Sequence, residues 1–178
     1  MLAFILVLYM LVPDIEAVHI QLELPQVPSN HERVLWGFEF NQDDVHCLAL
    51  NIYFEARGEP IEGQYAVADV VINRTESAYH PNTICEVIFF GLENPRTGRI
   101  YSCAFAWTCD RMQYQEPQDL KAFRRAIRIA EEVLFDPNYT MVIPDATHFH
   151  ADWMTPWWSV RMENLTSIGN HKFYDSTN

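Results

Sequence analysis

Glu55 stands where a carboxyl group would hold its proton. Val45, Leu48, Ala49 and Ile52 recur at helical spacing, and Glu55 follows Ile52 by three positions on the same apolar stripe. Gly58 and Pro60 then supply a stop. Desolvation beside Tyr53 and Phe54 and the negative end of the helix dipole both disfavour a charged carboxylate there. A carboxylic acid that is neutral near pH 7 can protonate a leaving oxygen, which glycosidic cleavage requires. Arg57 and Arg74 are the cations that could pair with it instead. Glu59, four residues on, is a candidate second carboxylate. Gly58 breaks the helical geometry between the two, which favours a structural role for Glu59, capping the next helix or pairing with Arg57.

Other side chains could bind rather than react. Gln64 and Asn73 fall on the following helix and could line a cleft or tie down a loop. Trp107 and Thr108 lie between cysteines, where an aromatic ring either stacks on a sugar or packs in the core. His148 and His150 are two apart, so a strand would point both to one face. With His80 or Asp152 they could hold a metal ion, but no His-Glu-x-x-His helix or cysteine spacing completes such a site, so none is expected. Trp153, Trp157 and Trp158 form an aromatic cluster, a pattern that is core more often than sugar platform.

The elements that must position these residues follow from periodicity and stop signals. A first helix runs from about Asn41 to Arg57, with Asn41 or Asp43 as cap. A second covers about Glu62 to Glu76, with Val67, Val70, Val71 and Arg74 on one side. Thr83 and Glu86 have capping-box spacing for a short helix over 83–90. Residues 91–117 read as a long binding loop. A fourth helix spans about Gln118 to Phe135, with Leu120, Phe123, Ile127, Ala130 and Leu134 as its apolar stripe and Lys121, Arg124, Arg125 and Arg128 in water. Thr140–Ile143 and Thr147–His150 read as a hairpin across Pro144-Asp145. Trp157–Asn164 suits a helical turn and Lys172–Tyr174 a strand. The fold class is therefore α+β, mainly α, a single domain with a small β-hairpin.

The chain has 178 residues, 49% apolar and 20% charged, an ordinary globular balance. Twelve Lys and Arg against 24 acids leave a net charge of −12. That excludes nucleic-acid binding as a main activity, since phosphate contacts need a basic face. Residues 1–12 are an unbroken apolar run ending at Pro13. The run is short for a bilayer span and lacks a positive lead-in, so residues 1–17 read as an export signal or a weak membrane anchor. Residues 18–41 read as a linker. Four cysteines, at 47, 85, 103 and 109, admit three pairings. A bond from Cys85 to Cys103 or Cys109 is favoured, because it would staple the irregular middle of the chain.

Several motifs in order resemble the SleB-like cell wall hydrolase family. They are Cys47-Leu-Ala, Ile52-Tyr-Phe-Glu-Ala-Arg-Gly-Glu59, Gly63-Gln64, Ala66-Val-Ala68, Val70-Val-Ile-Asn-Arg74, Thr83-Ile-Cys85-Glu-Val-Ile88, Phe105-Ala-Trp-Thr-Cys-Asp110, Ala146-Thr-His-Phe-His150 and Ile168-Gly-Asn-His-Lys-Phe-Tyr174. The resemblance implies a catalytic domain over 42–176 with a lysozyme-like, lytic transglycosylase-like fold. It implies Glu55 as the acid and base that cuts peptidoglycan glycan strands to a 1,6-anhydro product, with no cofactor. It places the Thr-His-Phe-His run at the cleft edge. The family's Gln-Phe-Ser-like run stands here as Ala104-Phe105-Ala106, two polar side chains fewer. The expected setting is an exported monomer in the periplasm or envelope, either a bacterial remodelling enzyme or a phage lysis protein. A zinc-dependent amidase and a non-catalytic wall-binding or virion protein are the alternatives. The net negative charge does not attract an anionic wall polymer at long range, so affinity must come from a shaped cleft.

Overall fold

Asn41 starts the domain's central helix. Its side chain accepts the amide N–H groups of Asp43 at 2.7 Å and Asp44 at 3.2 Å, and Asp44 accepts the Asn41 N–H at 3.0 Å. This reciprocal cap opens α1, Gln42–Ala56, in a computed structural model that describes residues 34–35, 38–39, 41–93, 96–97, 100–109 and 116–176. The expectations for residues 1–17, and for most of the 18–41 lead-in, lie outside the described residues. Within that lead-in, Val34–Leu35 (β1) and Phe38–Glu39 (β2) pair antiparallel where a linker was expected.

α1 packs against α2 (Ile61–Glu76), α3 (Ile84–Phe89) and α4 (Leu120–Phe135). Leu48, Ala49 and Ile52 are fully buried against Ala68, Val71, Ile88 and Ala130. Small residues on α2 and α4 let the helix backbones approach closely. The Tyr53 hydroxyl accepts the backbone N–H groups of Gln118 and Asp119, so α1 also fixes the start of α4. The buried stripe of α4 is rotated from the expected one. Ala122, Ala126, Ile129 and Val133 join Ala130 and Leu134 inside, while Leu120 is exposed. The alanines win because they fit between close helices. Leu120 is the first residue of α4 and stands in solvent.

The middle segment is more regular than a loop. Gly91–Glu93 (β3) pairs antiparallel with Ile100–Cys103 (β4), and Ala106–Thr108 forms a 3₁₀ turn; residues 94–95, 98–99 and 110–115 of the expected loop lie outside the described residues. The cysteine pairing also differs from expectation. Cys47 bonds Cys85 and Cys103 bonds Cys109, so one bridge ties α1 to α3 and the other closes the 3₁₀ turn. Tertiary placement decided this, because α3 packs on α1 with Cys85 facing it.

His148–Ala151 (β5), Glu163–Ile168 (β6) and His171–Asp175 (β7) form an antiparallel sheet in the order β5-β7-β6. The expected hairpin between 140–143 and 147–150 does not form. The 140–143 segment is irregular and bound instead to Asp69. That fully buried carboxylate on α2 accepts the Tyr139 hydroxyl and the amide N–H groups of Val142 and Ile143 at 2.7–3.0 Å. The expected turn after Trp157 is the 3₁₀ turn Ser159–Arg161, and the strand at 172–174 is β7. Thr83 does not cap α3 through backbone amides; its hydroxyl donates to Glu86 Oε2.

The two bridges should contribute unequally. Closing 38 residues against 6 makes loss of Cys47–Cys85 worth about 4 kcal/mol and loss of Cys103–Cys109 about 2 kcal/mol on the loop-entropy account. Urea unfolding of the Cys47→Ser/Cys85→Ser and Cys103→Ser/Cys109→Ser pairs should show that order, and equal losses would contradict it.

Candidate active site

Asn51, Phe54 and Glu55 occupy the C-terminal part of α1. Asn51 is fully buried and accepts the Trp107 indole N–H at 3.0 Å. Trp107 stacks on Phe54, with ring centroids 4.8 Å apart, and meets the edge-on ring of Phe89. The 3₁₀ turn is thus clamped to the stretch of helix that carries Glu55. The Glu55 carboxyl is largely shielded from water. Its pKa is pushed up to about 7 by desolvation, with the positive charge of Arg74 acting in the opposite direction. Among the described residues, no hydrogen bond or ion pair satisfies it.

Arg74 lies in the last turn of α2 and is 8% exposed. Its Nε–H donates to the Thr147 carbonyl at 2.8 Å and its guanidinium sits 4.9 Å from the centre of the Phe105 ring. Burial lowers its pKa to about 10, and the nearby Glu55 charge works against that. Arg74 forms part of the wall of a cavity of about 420 Å³, together with His80, Ser102, His148, Trp157 and Trp158 among others. His148 is held neutral: burial first, then Arg74 and His80, lower its pKa to about 4.

The other sequence candidates divide by where their polar atoms go. Gln64 is buried; its amide N–H donates to the Glu59 carbonyl at 2.9 Å and its oxygen accepts Arg125 Nε–H at 3.1 Å. Arg125, expected in water, also reaches the Arg57 carbonyl. Asn73 donates to the carbonyls of Ile143 and Ala146 at 3.0 and 2.8 Å. Thr108 donates to Phe105 within its own turn. These amides and this hydroxyl hold loops together. Both His150 nitrogens are engaged, Nδ1 with the Ala151 carbonyl and Nε2 with the Tyr174 hydroxyl, and its ring stacks on Tyr174. His148 alone of the histidine pair lines the cavity. Among the described residues, no three His, Cys, Asp or Glu side chains converge as a metal site would need.

Glu59 neither caps α2 nor pairs with Arg57. Its carboxylate accepts the Asn170 backbone N–H at 2.8 Å and the Asn170 amide at 3.2 Å. Gly169 before it has φ +58°, and a Cβ there would stand 2.7 Å from Pro60 Cδ. Only glycine suits that turn. Glu59 is thus the post against which the β6–β7 turn is fastened. The tryptophan cluster also separates. Trp158 packs against His148, His150 and Tyr174, whereas Trp153 and Trp157 are each 76% exposed. Arg74 as a cavity-lining residue was not anticipated; the sequence offered it as a possible partner of Glu55 and as a charge on the apolar side of the second helix.

Residues 58–174 match the model of a family described as Cell Wall Hydrolase. Similar proteins include spore cortex-lytic enzymes of Oceanobacillus iheyensis, 37% identical over 75% of this chain and 42% of that protein, and of Bacillus subtilis, 33% identical over 75% and 38%. The chain therefore spans about two fifths of the length of these curated relatives. Among solved structures, the catalytic domain of the germination-specific lytic transglycosylase SleB from Bacillus anthracis aligns with a TM-score of 0.55 at 30% identity, over 80% of this chain and all of that one. The catalytic domain of Bacillus cereus SleB gives 0.52 at 31% identity, over 76% and 92%. The mostly helical, lysozyme-like fold with small sheets is shared with them. The family match begins three residues after Glu55.

The shielded carboxyl makes stability depend on pH. Between the ordinary 4.5 and about 7, the folded state binds a proton that the unfolded state has lost, so stability falls as pH rises through that window. Glu55→Gln removes the fall. It should match the wild type near pH 4.5 and exceed it above pH 7 by up to about 3 kcal/mol. Urea titrations at both pH values test this; a parallel pH dependence in the two proteins would show that the Glu55 charge is well solvated.

Proposed function

The chain belongs to the cell wall hydrolase family, and on that premise we propose that it cleaves peptidoglycan glycan strands between N-acetylmuramic acid and N-acetylglucosamine, with Glu55 as acid and then base. The observation that carries this reading is the Glu55 carboxyl, desolvated enough to hold its proton up to about pH 7, without a bonded partner among the described residues and within electrostatic reach of Arg74, which lines a cavity. The names of the relatives and of the aligned catalytic domains support the same reaction class.

The steps balance with one carboxyl group. Glu55 gives its proton to the bridging oxygen, the C1–O bond breaks, and the electron pair leaves with the N-acetylglucosamine hydroxyl. The muramic acid 6-hydroxyl then attacks C1. Its proton returns to Glu55, and a 1,6-anhydro ring closes with no water consumed. Glu59 supports this single-acid scheme because its carboxylate is already bound to Asn170. Trp107, His148 and the exposed Trp157 are proposed as sugar contacts; Gln64, Asn73, Thr108 and His150 serve by holding the walls. The two disulfides suit an oxidising compartment. Export to the periplasm or envelope, and action there as a monomer, follow as part of the proposal.

Mass spectrometry of digested sacculi tests it. Anhydro-muropeptides are expected, and Glu55→Gln should lower their rate of formation by about 10²–10⁴-fold with the fold intact. Reducing-end muropeptides alone would mean hydrolysis. Freed stem peptides whose release a chelator stops would mean an amidase. The wild-type rate should decline as pH rises through about 7, where the acid form of Glu55 is lost; a flat profile to pH 9 would remove Glu55 as the acid.

A further inference from the structure

Arg74 is a buried cation whose recognised bonds use only part of its donor set. Nε–H is committed to Thr147, and the guanidinium carbon lies over the Phe105 ring. Among the described residues, no carboxylate lies within ion-pairing distance of it. The charged and titratable groups that act on this region are Glu55 from α1, His80 after α2, His148 from β5 and Asp175 from β7. Glu55 acts on it without a bond, and with its pKa pushed up to about 7 it is only partly ionised at neutral pH. Burying a cation without a bonded counter-charge is costly unless a ligand supplies one.

The cavity wall has a matching composition. Acids outnumber bases two to one in the chain, yet no Asp or Glu is among the residues that line it. Its polar side chains are Arg74, Tyr79, His80, Ser102, His148 and the indoles of Trp157 and Trp158, all able to donate. His148 Nδ1 faces the Thr147 hydroxyl at 3.0 Å, which leaves Nε2 for another partner. At about 420 Å³ the cavity exceeds what a carboxylate alone would fill and admits the residue that bears it. Trp157 stands exposed at its rim.

We propose that Arg74 and His148 form a recognition site for a carboxylate of the wall polymer, beside the bond that is cut. The proposal rests on the glycan-cleaving function above and specifies its substrate as an acid-bearing strand. A guanidinium fork suits a carboxylate geometrically as well as by charge. The site also compensates locally for the net charge of −12, which repels such a polymer at a distance. Two carboxylates fit this chemistry: the free lactyl group of a peptide-free muramic acid, and a carboxylate of the stem peptide.

The test compares four ligands by calorimetric titration of the full Glu55→Gln chain: peptide-free glycan, peptide-bearing glycan, and each of these after conversion of its carboxylates to carboxamides. Amidation should weaken binding at least tenfold for the strand that carries the recognised group, which identifies its source. Arg74→Gln in the same background should abolish that difference, and Arg74→Lys should restore part of it. Equal binding of native and amidated strands overturns the proposal, as does a difference that survives Arg74→Gln in a folded protein. The ligand comparison needs no change at Arg74, so it decides even if that variant does not fold. Wild-type digestion is scored separately. Cleavage without carboxylate discrimination overturns this site alone, whereas no cleavage of any strand overturns the enzymatic reading.

Discussion

A carboxyl group and a guanidinium act on each other near this domain's interior without forming an ion pair. Glu55 ends α1 and Arg74 ends α2; the packing of those helices buries Arg74 and half-buries Glu55. Contact would have lowered the Glu55 pKa strongly and left a spent ion pair. Full separation would have left two unrelieved buried charges. With desolvation outweighing the pull of Arg74, the acid keeps its proton up to about pH 7 while the cation stays charged. Acid chemistry at Glu55 and anion recognition at Arg74, which lines the cavity, can then coexist at the ends of two packed helices.

The rest of the domain maintains that spacing. Three polar residues on α2 act as clips for the chain that returns past it: Asp69 to Val142 and Ile143, Asn73 to Ile143 and Ala146, and Arg74 to Thr147. Asp69 lies one turn before the adjacent pair Asn73 and Arg74, and the three bind successive parts of one irregular segment. That segment has no sheet partner of its own until His148, so α2 satisfies backbone groups that would otherwise be buried and unpaired. At the other end of α2, Glu59 holds the β6–β7 turn through Asn170. The sheet is thereby fixed to both ends of the helix that carries Arg74.

The same economy explains the histidines. His148 and His150 share a strand face and both touch Trp158, yet they serve different ends. His150 is locked between the Ala151 carbonyl and Tyr174, and supports the sheet. His148, one pleat nearer to Arg74, is kept neutral by that cation and by burial. A neutral imidazole can donate to or accept from a ligand without adding charge to the cavity.

The sequence by itself determined the helices and the position of Glu55. Apolar spacing, the Asn41 cap and the Gly58–Pro60 stop are local signals, and around α1 the tertiary contacts do not override them. Glycine at 169 was equally legible within its motif, though not the carboxylate that packs against it. Tertiary structure alone decided the rest. The disulfide partners, the rotated face of α4, the binding of 140–143 to Asp69 and the exposure of Trp157 all depend on contacts between residues distant in the chain. Spacing could place Gln64, Asn73 and His150 on an element but could not say whether their polar atoms faced a ligand or a backbone carbonyl. Arg74 shows the limit most clearly. A charge on an apolar helix face announces that something must compensate it, and only the packed neighbours reveal that no bonded acid among them does.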